Sequence, residues 1–523
     1  MRIKNYTLKL NRSIFIKILF LIFNFTFLIT KGQFYNLPGD YFYALLTERG
    51  LAEPDSSIHS SVKPYIHFYS PKYIHVADSY KVFKYIKDDL LLDKIFNDNL
   101  INVKNKENKY RFSINPFLNL EIGRDFSDTL SRNLYNNGRG FIANGYIGKK
   151  FYFETMVAET QSLFPNYIET ENKNSLVVPG QGRWKVFKTR GFDYAFSSGF
   201  ISCQITKNIN IQAGHGKQKI GNGYRSLFLS DNAFNYPYVR VTQQWFKGRV
   251  QYTNIYASLM NLDSASAKSP PYTELLFQKK AASFQYLSIN FTKRINIGFF
   301  QGLIWQAADR NNVPHFDWQY FNPVIFTNLA FYGLNNKNNI LIGSDFNFKL
   351  SKTISLYGQI MADDLSTRNG GWGYQLGARY FNAFKIKKLF LQGEYNSVSE
   401  TAYTNPSTSN LADQSFSHYN QNLAYTPNNG KELILISDYK FKRLFFSAKY
   451  NYQSFTLNNN NFYTNNIFNF KVGYTINTAY NANVSLGYSY RTQDFFGTTL
   501  GNNNTSYVYA SFKINLYNAY FDF

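Results

Sequence analysis

The sequence predicts an all-β fold: an antiparallel transmembrane β-barrel of about 18 strands, behind a short α-rich N-terminal region on the periplasmic side. Three observations predict it. The 523 residues are 19% aromatic, with 51 Phe and 43 Tyr, yet only 17% charged, and mean hydropathy is −0.35. Disordered chains lack that aromatic load, and past the N-terminus no apolar run approaches the roughly 20 residues of a spanning helix. From Tyr110 onward apolar residues recur with period two. Finally, short and long connections alternate between those stretches without a break, as an outer-membrane barrel requires.

Residues 1–32 read as a secretory signal peptide. Arg2, Lys4, Lys9, Arg12 and Lys17 precede an apolar stretch from Ile18 to Ile29, with no acid among them. Cleavage falls between Gly32 and Gln33, although Thr30-Lys31-Gly32 is a poor small-residue site and a retained anchor is the alternative. Removing the segment takes away six basic residues and lowers the net charge from +23 to +17. Cys203 is the sole cysteine, so an exported chain of this size needs a framework other than disulfides. A closed hydrogen-bonded barrel supplies one. The cell outer membrane is the expected location.

Residues 33–109 form the small α-rich region. Asp40 to Gly50 and Asp78 to Ile101 carry helical patterns; in the second, Val82, Tyr85, Ile86, Leu90, Ile95 and Phe96 recur at helical spacing. Residues 110–523 form the barrel. Phe112, Ile114, Leu118, Leu120 and Ile122 alternate with polar positions, and the pattern returns at Phe151, Ile340, Leu389, Val484 and Val508. Successive strand side chains point to opposite faces, so each strand has an apolar and a polar face. Short turns fall near 149–150, 207–208, 247–248, 293–294, 351–352, 382–388, 440–443 and 477–481. Long connections span roughly 123–138, 162–185, 218–237, 261–280, 306–337, 363–371, 397–431, 454–465 and 492–504. Eight short and nine long connections join 18 strands with both chain ends periplasmic. The terminal Phe523 breaks the parity of the last strand, so either a bulge lies near Tyr517 or the final six residues are a tail.

The third long connection is the most distinctive stretch. His215, Lys217, Lys219, Tyr224, Arg225, Asp231 and Asn232 sit among four glycines, Gly214, Gly216, Gly221 and Gly223. Glycines allow tight turns and close backbone approach. The cations suit a carboxylate or phosphate, with Arg bidentate. The other reading is an inward-folded loop that braces the barrel, with Arg225 and Asp231 as an ion pair. Trp305, Asp309, Arg310 and Trp318 belong to a second aromatic and polar stretch suited to sugar stacking in a barrel mouth, or to an aromatic girdle. His59, His67 and His75 recur every eight residues; exposed β-like spacing explains this better than a metal site. Glu121, Glu154 and Glu394 are expected to pair with Arg379 or Arg491 inside the lumen. No hydrolase or metalloprotease motif occurs, so no enzyme activity, metal or cofactor is expected. The basic turns are dispersed, which argues against nucleic acid.

The run Gly221-Asn222-Gly223-Tyr224-Arg225-Ser226-Leu227-Phe228-Leu229-Ser230-Asp231-Asn232-Ala233, with Pro237 beyond, resembles the Wzi-like capsule-assembly family of outer-membrane barrels. Gly214-His215-Gly216-Lys217 brings it nearer the RemB-like gliding-motility branch of that family, and Asp317 to Pro323 also looks family-like. The resemblance implies a non-enzymatic, monomeric barrel in contact with outer-membrane lipid. It implies that the barrel binds or organises a surface polysaccharide or a surface adhesin or motility protein, supporting gliding motility or capsule assembly. A passive pore for small solutes is the alternative.

Overall fold

The computed structural model describes residues 58–65, 90–96, 98–105, 107 and 109 onward, apart from 149, 265–276, 309–317, 328–329, 331–337, 364–369, 406–412, 426–428, 459–460, 478, 497–502 and 516–517. The expected helix at 40–50 and the positions of His67 and His75 lie outside the described residues.

Eighteen strands close an antiparallel ring. They are β1 (Tyr110–Asp125), β2 (Asn133–Ile147), β3 (Phe151–Leu163), β4 (Gly191–Gln204), β5 (Ile209–Gly216), β6 (Tyr236–Trp245), β7 (Val250–Ser264), β8 (Phe277–Asn290) and β9 (Ile295–Gln306), then β10 (Asn339–Lys349), β11 (Ile354–Asp363), β12 (Gly371–Phe381), β13 (Leu389–Val398), β14 (Gly430–Phe441), β15 (Leu444–Asn458), β16 (Asn461–Asn477), β17 (Ala482–Phe496) and β18 (Thr505–Ile514). The ring shuts where β18 pairs with β1, Tyr507 opposite Asp125 and Ile514 opposite Leu118. Closure removes the open edges that a sheet in lipid could not tolerate.

Burial is inverted relative to a soluble protein. Ile122, Ile201, Ile360, Leu376 and Leu486 are more than half exposed, whereas their strand neighbours Ser202, Gln359, Gln375 and Ser485 are buried. The alternation read from the sequence therefore puts apolar side chains outside, where lipid covers them, and polar ones into a filled lumen.

The connections alternate in length as expected, but the strands run past the expected boundaries. Only residues 126–132 separate β1 from β2, and β15 and β16 run to Asn458 and from Asn461. The expected long connection at 454–465 is thus a hairpin tip: Thr456 still pairs with Phe462. Polar Asn and Thr do not prevent pairing where a strand emerges from lipid into water.

In the N-terminal region, Leu90–Phe96 forms a helix, α1. Its C-terminal carbonyls are satisfied by the barrel: the Asn477 amide donates to the carbonyls of Lys94, Ile95 and Asp98, each at 3.1 Å. Ile101, the expected end of the helical stretch from Asp78, instead opens a short strand, Ile101–Lys104, beside β1, and residues 78–89 lie outside the described residues. A second helix, α2 (Asn166–Ser175), stands in the β3–β4 connection. Arg132 ties it to the β1–β2 turn through Glu169 and Asp128, both at 2.7 Å.

Candidate functional site

The connection between β5 and β6 folds into the lumen. Ile220, Leu227, Phe228 and Leu229 are fully buried and join one apolar cluster with Phe284, Phe300 and Leu341 on the inner wall. Phe228 stacks on Phe300 at 4.9 Å with the rings 3° from parallel. Within the connection, the Ile220 amide donates to the Leu229 carbonyl at 2.8 Å. An N-terminal piece enters the same space: Val62–Lys63 pairs with Lys219–Ile220. His59 lies buried there, hydrogen-bonded to Ser288 at 2.7 Å and to the Gly248 carbonyl. Burial lowers its pKa to about 4, so this imidazole is neutral and structural.

The turn at Gly223 is clamped by Glu394. Its carboxylate accepts the amides of Tyr224 at 2.7 Å and Arg225 at 3.0 Å. A Cβ on Gly223 would lie 2.5 Å from Glu394 Oε2 and 2.6 Å from Gln375 Oε1, so only glycine lets the chain approach this closely. Two of the lumen carboxylates thus have partners other than the expected arginines: backbone amides for Glu394, and Lys513 at 2.8 Å for Glu121.

Arg225 is buried at 2% exposure. It binds Glu432 in bidentate fashion, Nε at 3.1 Å and Nη2 at 2.8 Å. Its third nitrogen faces Asp522, 3.2 Å away. The bracing reading expected Asp231 as its partner. Instead Asp231 accepts Asn518 and Tyr520, both at 2.9 Å, while Lys217 donates to the Asp231 carbonyl. Lys219 donates to the Tyr224 carbonyl. Burial lowers the Lys217 pKa to about 8, against the pull of Asp231. Asn232 holds the Ala424 carbonyl at 3.0 Å. His215 bonds the Ser197 carbonyl and packs edge-on to Phe234.

Residues 518–523 form the element that the residue pattern did not assign to this site. After β18 the chain leaves the wall and turns into the lumen, so the tail alternative is the one realised. Phe521 packs on Phe164 and Phe523 on Tyr167. The Asp522 carboxylate, 2% exposed, accepts Lys449 at 2.6 Å and the Tyr224 hydroxyl at 2.7 Å. Its carbonyl accepts Gln453 and Arg225. Burial opposes ionisation of Asp522, but Arg225 and Lys449 outweigh it and hold the carboxyl at about 2. The parity break before Phe523 was the one signal of this tail.

Two cavities flank it. One of about 350 Å³ runs along the β14–β18 wall past Lys449, Tyr507 and Phe521. The other, about 310 Å³, opens at the long-connection end and is lined by Tyr167, Tyr463, Tyr520, Asn422, Gln493 and Arg491. Arg225, Asp522 and Phe523 form part of its lining.

Trp305, from the second aromatic stretch, does not join this site. Phe300 and Ile304 of β9 face the lumen cluster, so Gln301, Leu303 and Trp305 point to the outer face. Trp305 is buried there against Tyr320 at 4.9 Å and Phe321 at 5.9 Å. Trp318–Phe321 is a short 3-10 turn that begins a strap over the outside of β7–β9. The wall holds the strap's backbone: Tyr256 donates to the Phe321 carbonyl, Gln285 to that of Asn322 and Tyr252 to that of Pro323, while Gln301 accepts the Phe326 amide. Asp309 and Arg310, and the Trp318 side chain, lie outside the described residues.

Neither a protein-family model nor a curated sequence matches the chain. Among solved structures, the chain is similar to Wzi, an outer-membrane protein involved in group 1 capsule assembly in Escherichia coli and described as a carbohydrate-binding β-barrel. Identity is 13% and the TM-score 0.55, covering 93% of this chain and 100% of that one. OccAB2 of Acinetobacter baumannii matches at 10% identity and TM-score 0.43, covering 77% and 97%. At these identities the likeness to Wzi is one of fold, and it extends across nearly the whole described barrel.

Proposed function

We propose that this protein is an outer-membrane barrel that binds or organises a surface polysaccharide, supporting capsule or surface assembly or gliding motility, and that it works by recognition rather than catalysis. The mouth cavity of about 310 Å³ carries this reading. Tyr463 supplies an aromatic face beside Tyr167 and Tyr520, whose rings carry Arg491 at 4.8 Å and Arg225 at 5.8 Å, and Asn422, Gln493 and Arg491 supply planar polar groups for hydroxyls; few polar groups in a concave aromatic site is the usual make-up of a ligand pocket. The inward connection beneath it supports binding over passage, because its apolar core fills the lumen. The likeness to a carbohydrate-binding barrel agrees with this reading.

Glycan-array binding by the detergent-purified barrel tests it. Tyr463→Ala and Arg491→Gln should each weaken binding at least tenfold while the barrel keeps its heat-modifiable gel mobility. Binding unchanged in both variants, or no glycan bound by the wild type, would overturn the assignment to this cavity. Deleting the gene and scoring surface spreading beside capsule retention separates the motility and capsule roles.

A further inference from the structure

The cradle that holds Asp522 has the construction of a ligand site. Its donors come from two rigid sources: Lys449 and Gln453 on β15, and Tyr224 and Arg225 on the clamped inward turn. Asn451 of β15 adds a longer contact at 3.4 Å. What occupies it is irregular chain. Residues 518–523 belong to no strand; Asp522 holds the cradle by polar contacts, and Tyr520 packs edge-on against Tyr224 at 5.4 Å. Ala519 within the segment is exposed, while Asp522 alone among the six is buried.

Charge decides what can replace the tail. Arg225 and Lys449 face two carboxylates, Glu432 and Asp522. If Asp522 withdrew, two cations would share one anion in a place where a guanidinium at 2% exposure has little water. Uncompensated buried charge is strongly unfavourable, so the replacement must itself be anionic. Geometry decides how it arrives. Arg225 and Asp522 line the mouth cavity, while Tyr224, Lys449 and Phe521 line the deeper one. Tyr167 and Tyr520 line both, so the tail is the partition between them.

We propose that the Tyr224–Arg225–Lys449 cradle is a carboxylate-binding site that the protein's own tail occupies, and that an acidic sugar entering through the mouth exchanges with Asp522. This deepens the polysaccharide reading by naming the ligand class as a uronate-bearing glycan, and the sugar part of the claim rests on that reading. Exchange would move the tail and join the two cavities, so ligand occupancy and the lumen partition are coupled through one carboxylate.

The test uses the full chain in detergent with a galacturonate trisaccharide as probe and a galactose trisaccharide as neutral control. Asp522→Asn weakens the resident competitor, so it should raise galacturonate affinity about tenfold and leave the neutral sugar unchanged. Lys449→Gln should lower galacturonate affinity in both the wild-type and Asp522→Asn backgrounds. In the wild type, saturating galacturonate should increase amide hydrogen exchange across 518–523, which keeps the proposal testable if Asp522→Asn fails to fold. Unchanged galacturonate affinity in Asp522→Asn, or unchanged tail exchange, would overturn it. So would binding of a peptide copying residues 518–523 without any binding of galacturonate. If the wild type binds glycans but the tail never responds, the polysaccharide reading stands and the cradle fails. If Asp522→Asn binds galacturonate while the wild type binds no array glycan, the reverse holds.

Discussion

At the residue scale the site turns on Arg225, and the sequence showed its charge but not its partners. Arginine among glycines is visible at a glance; Glu432 and Asp522 lie 207 and 297 residues away, and no local pattern encodes a pairing at that distance. Asp231, six residues on, was the natural local guess, and it is taken by Tyr520 and Asn518 instead. Removing Arg225 leaves the buried Glu432 carboxylate without its cation and Asp522 with Lys449 alone, and breaking a buried pair costs about 3–5 kcal/mol. Arg225→Ala should therefore lower the temperature at which the folded gel band is lost, and Arg225→Lys should recover only part, because an ammonium cannot reproduce the fork to Glu432. An unchanged transition in Arg225→Ala would show that the network contributes nothing to stability. The pH dependence follows from Asp522. Its carboxyl sits at about 2 in the folded protein against an ordinary 3.8. A depressed carboxyl contributes stability above its unfolded pKa and loses it as pH falls through the folded one. Amide protection of 518–523 should hold above pH 4 and decline between about pH 4 and pH 2. In Asp522→Asn the decline should vanish from that window; a decline of the same size there would assign it to another group.

At the scale of elements, the barrel strands were legible because two physical signals coincide in each. Period-two patterning reports a wall between lipid and water, and turn residues report its ends. What was not legible is a connection that leaves the mouth and lies against the outer wall. Trp305 reads either as part of a mouth site, because tryptophan beside Asp and Arg suits sugars, or as part of an aromatic girdle; its alternation places it outside, packed under the strap that begins at Trp318. The outward-facing Gln285 and Gln301 were the available clue, since fully buried polar side chains on a lipid-facing wall need partners. Those partners are strap backbone groups. Replacing both glutamines with leucine should free the strap while leaving the wall intact. Chymotrypsin should then cut at Phe321 or Phe326 in the variant and not in the wild type, with heat-modifiable mobility retained in both. An uncut variant would mean that the Trp305, Tyr320 and Phe321 packing holds the strap without them.

At the scale of the whole molecule, the ring and the contents of its lumen follow different rules. The ring is specified by local alternation and by turn order, so 18 strands could be counted from the residues alone. Among the described residues, the lumen is filled by four segments remote from one another in the chain: residues 58–65, the β5–β6 connection, the part of the β13–β14 connection that carries Tyr403, Phe416 and Leu423, and residues 518–523. The β5–β6 connection meets each of the other three through contacts that only the closed ring brings together. This arrangement bears on whether the barrel conducts. Ile220, Leu227, Phe228 and Leu229 are fully buried against the inner wall, and the apolar area they remove from water favours a closed lumen by about 1.5–3 kcal/mol for each large side chain. A connection held that firmly should not flicker open, so the intact protein in a planar bilayer should pass no steady current. Replacing residues 217–233 with a short Gly-Ser linker removes the apolar filling and the Arg225 fork together, and should produce a steady conductance from a barrel that still shows heat-modifiable mobility. A steady conductance in the intact protein would instead favour a passive pore, with the inward connection as a constriction beside the path. Silence in both would place the obstruction in the N-terminal segment, the β13–β14 connection or the tail. Deleting residues 518–523 from the linker variant would then assign it: current on deletion identifies the tail as the remaining partition, and continued silence places it in the segment around Val62 or the β13–β14 connection.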